Sequence, residues 1–108
     1  MTRKKKHLER VASIGCVVCR FLEGWGESPA ELHHPLQGGR RIADDVVIPL
    51  CRRHHRGGEN NSVYVSRHPH QRVQFEKRYL TEAALLMLVK AYLSKQWPEH
   101  YLSQGEEQ

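Results

Sequence analysis

The stretch "VVIPLCRRHH", Val46 to His55, joins a β-branched run suited to a strand to one cysteine and two adjacent histidines, and Gly57 and Gly58 then stop the short helix that begins there. One cysteine cannot hold a metal alone. Its partners lie upstream, where Cys16 and Cys19 form CxxC, while Cys51 and His54 form CxxH. Two close pairs far apart in sequence can close a tetrahedral thiolate and imidazole site. Three sulfurs and one nitrogen make a soft, closed donor set that suits structural Zn²⁺, tying the N-terminal helix to the central strand and helix. In a chain of 108 residues and 12.6 kDa, a single apolar core gives modest stability, and a metal staple adds to it.

The second histidine needs a separate explanation. Successive side chains on a helix are turned by roughly 100°, so His54 and His55 cannot both face one tetrahedral centre. His54, at i+3 from Cys51, is the preferred zinc ligand. A CxxxH pairing through His55 is also open, because i+4 lies near the same face.

Around this unit the chain reads as one domain spanning 1–108. Leu8, Val11, Ala12 and Ile14 recur at helical spacing and predict an N-terminal helix over Lys4 to Ile14, ending at Gly15. CVVC is expected to turn, and "EGWGESP" to form a surface loop. A first strand is expected over Ala30 to His34, closed by Pro35, with alternation sending His33 and His34 to opposite sides. "QGGRR", Gln37 to Arg41, reads as a loop. A C-terminal helical part spans 70–96, with Thr81 and Glu82 opening the last helix and Ala84, Leu85, Leu88, Val89 and Tyr92 facing the core. The tail from Pro98 is expected to be frayed at its end.

The formal charge of +5 and pI near 9.4 favour a polyanionic partner. A mean hydropathy of −0.67 describes a solvated surface. No apolar run reaches the ~18 to 20 residues of a membrane span, and the basic start carries no secretory signal, so the cytoplasm is the expected compartment. An odd number of cysteines argues against a secreted disulfide framework.

A strand ending in "LHHP", a glycine-containing loop, a second strand and a helix opening "LCRRHH" resemble the HNH (ββα-metal) endonuclease superfamily over residues 16–56. "ELHHP", "DDVVIPLCRRHH" and the later "FEKRYL" look, more closely, like the phage and prophage recombination-enhancement (Ref-like) nucleases. The resemblance implies an α+β fold: a small zinc-stapled ββα-metal core with an N-terminal helix and C-terminal helices. It implies DNA as substrate, a recombinase filament as partner, and a bacterial host cell as setting. It makes His34 the general base and gives His33 and His55 to a catalytic Mg²⁺ or Mn²⁺, leaving His54 to zinc.

Two positions depart from the family pattern. Its middle Asn falls near Val46, so Asp44 or Asp45 is expected to brace the loop or orient the base. A further ligand on the helix would fall at Glu59, beyond two glycines, and His68 or His70 is the preferred replacement. Arg40, Arg41, Arg52, Arg53 and Arg56 flank the expected site and suit phosphate clamping, which reads no sequence and predicts low selectivity. The competing reading is a zinc-stabilised DNA-binding or recombinase-accessory module without cleavage activity. A third, a zinc-stapled interaction domain, leaves the HHP pair and the arginines unused.

Overall fold

A computed structural model describes residues 3–24, 26, 28–37, 40–57, 64–65 and 69–101, the side chains of Pro69 and His70 excepted. Helix α1, Arg3–Ile14, buries Val11 and Ile14 on one stripe, and Gly15, at φ 79°, turns the chain out of the helix. After Cys16 the chain tightens into a π-helical turn over Val18–Leu22. The CxxC segment therefore turns as expected, but into a wider helix.

Strands β1, Glu31–His33, and β4, Ile48–Leu50, pair antiparallel with Glu31 opposite Leu50 and His33 opposite Ile48. β4 is fully buried. Its Pro49 is tolerated because a two-stranded sheet has only edge strands. Both strands are shorter than the sequence expects. Gln37 and Arg41 also depart from the expected loop: β2, Leu36–Gln37, pairs with β3, Arg40–Arg41. A Gly-Gly pair between two short strands is a hairpin signal in its own right.

Helix α2, Arg52–Arg56, starts from Cys51 in extended conformation and stops at Gly57, φ 84°. A helix this short does not persist alone, so it depends on its packing. Helix α3, Pro69–Arg78, buries Phe75. Helix α4, Glu82–Gln96, is capped by Thr81, whose Oγ1 accepts from the Ala84 amide at 3.1 Å. It buries Leu85, Val89 and Leu93, whereas Ala84, Leu88 and Tyr92 are half-buried. α1 and α4 both pack on β4, and the core closes between them.

Residues 98–101 are again helical, and the end of the tail, where fraying is expected, lies outside the described residues. The Arg10 guanidinium lies 4.8 Å from the Trp97 ring centroid and 5.9 Å from that of Tyr101, and His7 Nδ1 meets the Tyr101 hydroxyl at 3.2 Å. These contacts hold the segment on α1.

Candidate functional site

Cys16, Cys19, Cys51 and His54 converge, with one ligand atom of each within 4.8 Å of all the others. His54 Nδ1 lies 3.5, 3.6 and 3.2 Å from the sulfurs of Cys16, Cys19 and Cys51, and the Cys19 and Cys51 sulfurs are 3.8 Å apart. A tetrahedral zinc with ordinary bond lengths requires sulfur–sulfur separations of about 3.8 Å and sulfur–nitrogen separations of about 3.6 Å. The four residues fit such an ion. His55 does not belong to this set, which removes the CxxxH alternative.

Burial pushes the Cys16 thiol up to about 12 and also raises that of Cys19. A cation entering the site must therefore displace protons. The outer nitrogen of His54 has neighbours that the spacing of ligands does not reveal. Its Nε2 lies 3.2 Å from Glu23 Oε1 and 3.3 Å from the Tyr79 hydroxyl, which donates to Glu23 Oε2 at 3.1 Å. The Glu23 Oε1 contact meets the distance of an ion pair but not the alignment of a hydrogen bond. A carboxylate behind a ligating histidine fixes its ring and raises its basicity. Tyr79 sits in the "FEKRYL" stretch, the one sequence signal that pointed toward it.

His33, His34 and His55 meet at a second place, beside α2. Residues two apart on a strand share a face, so β1 projects Glu31 and His33 together toward α2. Glu31 Oε1 accepts from His55 Nδ1 at 2.8 Å and from Arg56 Nε at 2.9 Å. The His55 hydrogen bond, more than the Arg56 charge, holds the Glu31 carboxyl below its ordinary range. The His33 and His55 rings stand edge to face with centroids 5.2 Å apart. An imidazole bound to a cation places its centroid about 3.2 Å away, so two sharing one ion have centroids about 4.5 to 5.2 Å apart. His33 Nε2 is engaged by Glu82 Oε2, from the first turn of α4.

His33, His55 and Glu82 line a cavity of about 330 Å³ with His34, Arg41 and Arg72. His33 and His34 thus share one cavity rather than opposite sides, because β1 ends at His33 and alternation no longer binds the next residue. Burial, followed by the Arg41 charge, lowers the pKa of His34, while a hydrogen bond to the Asp44 backbone opposes that shift. Arg72 Nε is buried without a hydrogen-bond partner.

Of the expected phosphate-binding arginines, Arg41 reaches the cavity and Arg56 is tied to Glu31; Arg40, Arg52 and Arg53 are exposed. The Asp44 side chain reaches Lys4 at 3.5 Å and the Asp45 carbonyl meets His7 Nε2 at 2.9 Å, so both aspartates fix the loop to α1. Glu59 and His68 lie outside the described residues, as does the side chain of His70. Among the described residues, the Cys₃His set is the one group of three or more donors within 4.8 Å of one another. Their helices include none long and apolar enough to cross a membrane.

Fold and site together define a small α+β domain, with two short antiparallel sheets and a Cys₃His centre fit for zinc beside a histidine-lined cavity. The chain belongs to the family described as recombination enhancement, RecA-dependent nuclease, whose model matches residues 1–94. The family name implies a nuclease of recombination, a hydrolase for which DNA is the substrate. Comparison with curated proteins returns no match, and neither does comparison with solved structures.

Proposed function

We propose that the cavity is the active site of an HNH-type, ββα-metal endonuclease that hydrolyses DNA phosphodiester bonds with low sequence selectivity. The observation that carries this reading is the meeting of His33 and His55 at 5.2 Å, with His34 lining the same cavity. In this reading residues 16–56 form the nuclease core of a single domain. The setting is the cytoplasm of a bacterial cell carrying the gene on a phage or prophage.

Cys16, Cys19, Cys51 and His54 hold structural zinc and do no chemistry. His33 and His55 hold a divalent cation, Mg²⁺ or Mn²⁺, which when bound supplies positive charge for the phosphate and the departing 3′ oxygen. The Asp44 backbone faces the His34 ring, and a ring N–H directed to it would leave the other nitrogen to take the proton of the attacking water. A lowered pKa keeps that nitrogen unprotonated at neutral pH. Asp44 thereby orients the base through its backbone, in place of the family's Asn side chain. Arg72 carries a buried, unsatisfied Nε that a phosphate oxygen would satisfy, and Arg41 stands beside it in the same cavity. The exposed Arg40, Arg52 and Arg53 extend the basic surface along the backbone of DNA.

The test compares wild type and His34→Ala on plasmid and single-stranded DNA, with Mg²⁺ or Mn²⁺, with and without a RecA filament, while bound zinc is measured. Cleavage is lost in the variant and zinc is retained. A wild-type protein that never cuts in any of these conditions would replace this reading with that of a non-cleaving DNA-binding module.

A further inference from the structure

The two histidines of the cavity are each gripped by a carboxylate, and the two carboxylates come from different elements. Glu31 of β1 accepts from His55 Nδ1 at 2.8 Å, and Glu82 of α4 engages His33 Nε2. The contacting side chains are largely enclosed: 16% and 17% exposed for His33 and Glu82, 23% and 32% for His55 and Glu31. Both carboxylates are also anchored. Arg56 Nε donates to Glu31 at 2.9 Å, and the Thr81 cap fixes the turn from which Glu82 projects. An ionised carboxylate only accepts hydrogen bonds, so the nitrogen facing it must carry the proton, and the second nitrogen of a neutral ring is then an unprotonated donor. A metal-ligating histidine almost always gives its other N–H to such a partner, which fixes the tautomer and the ring plane.

We propose that Glu31 and Glu82 are the positioning residues of the cavity: they set opposite tautomers in the two histidines, so that His55 Nε2 and His33 Nδ1 are presented to one divalent cation. This rests on the reading of the cavity as a cation site. It gives α4, which lies outside the ββα unit, a direct part in shaping that site. The observed arrangement is that of a buttress, since Glu82 Oε2 engages a ring nitrogen of His33 and Glu31 Oε1 a ring nitrogen of His55.

Two measurements on the zinc-loaded full chain test the assignment. The first is long-range ¹H–¹⁵N correlation NMR without added divalent cation, which reports the tautomer of each ring. His55 is expected as the Nδ1–H form and His33 as the Nε2–H form. The reverse tautomer in either ring overturns the proposal.

The second is Mn²⁺ affinity by electron paramagnetic resonance. Glu82→Ala and Glu31→Ala should each bind about 10- to 100-fold more weakly than wild type, with zinc content and helix content unchanged. Glu82→Gln, which keeps an acceptor oxygen, should recover most of the loss. If Glu82→Gln is as weak as Glu82→Ala, Glu82 is itself a ligand and the positioning role is wrong. If Glu82→Ala binds like wild type, the proposal fails while the cation site stands. If wild type binds no Mn²⁺ beyond its zinc, the cation reading of the cavity falls, and this proposal with it.

Discussion

Replacing Glu23 by Gln removes one charge behind the zinc-facing histidine and leaves the shape of the site almost unchanged. His54 is 1% exposed, and burial pushes its pKa down while the Glu23 carboxylate pushes it back up. Losing that carboxylate makes the imidazole a weaker base and so a weaker ligand. Such outer partners of a ligating histidine are typically worth 10- to 100-fold in metal affinity. Here the lower end applies. The Glu23 Oε1 contact at 3.2 Å is not an aligned hydrogen bond, and the Tyr79 hydroxyl at 3.3 Å remains to face the His54 Nε2–H.

A tenfold loss corresponds to about 1.4 kcal/mol of folding stability at a fixed free zinc concentration above both dissociation constants. For a domain of this size, that lowers the melting temperature by roughly 5 to 10 °C. Competition against a chromophoric zinc chelator at pH 7 measures the affinity, and thermal melting at clamped free zinc measures the stability. Saturating zinc should restore cleavage to wild-type levels, since Glu23 does not line the reacting cavity. A Glu23→Gln protein with zinc affinity within twofold of wild type would refute the role given to the carboxylate.

Further outcomes follow from other contacts. Zinc affinity should rise with pH by roughly tenfold per unit for each proton the raised thiols must release, measured by chelator competition between pH 6 and 8. In the metal-free chain the dependence is opposite. Cys16 titrates at about 12 when folded against 9.0 for an ordinary thiol, so denaturant titration should show full stability from this group below pH 9 and a loss as pH climbs toward 12. Arg41→Ala removes a charge that lowers the His34 pKa, so the acid limb of the pH–rate profile should move to higher pH, with the rate falling more at pH 5.5 than at pH 8. Gly57→Ala forces an L-residue to φ 84° and sets its Cβ 2.7 Å from the Tyr64 ring, so the melting midpoint should report at least about 1 to 2 kcal/mol of lost stability.

The zinc centre was legible because each half of it is local. CxxC lies within one turn and CxxH within one helical turn, so spacing alone puts both members of each pair on one side. The helix dipeptide "HH" was readable for the same reason: a rotation of one residue separates His54 from His55, and the structure places the two rings in different sites.

Glu23, Glu31, Glu82, Arg72 and Tyr79 were not legible as site residues, for a common physical reason. Each acts through a contact between separate elements, and each has an ordinary local excuse. Glu82 follows an N-cap threonine, where an acidic residue favours the helix dipole whether or not it touches anything else. Arg72 is one basic residue in a basic chain. The motif points along the chain to Glu59, His68 and His70 for a further group beside His33, whereas α4 delivers Glu82 from 49 residues away.

That separation also orders events during synthesis. A contact between residues distant in sequence forms only after both have been made, and such non-local contacts are slow to form. Both halves of the zinc centre are complete by His54, but the reacting cavity has no finished wall until Arg72 and Glu82 have been translated and α4 has docked on β4. A chain interrupted between these points carries all four residues of the cluster but lacks Glu82 beside His33. A product truncated there therefore holds every residue of the Cys₃His cluster and an unfinished cavity, so the cluster is the earlier of the two to be complete in the growing chain.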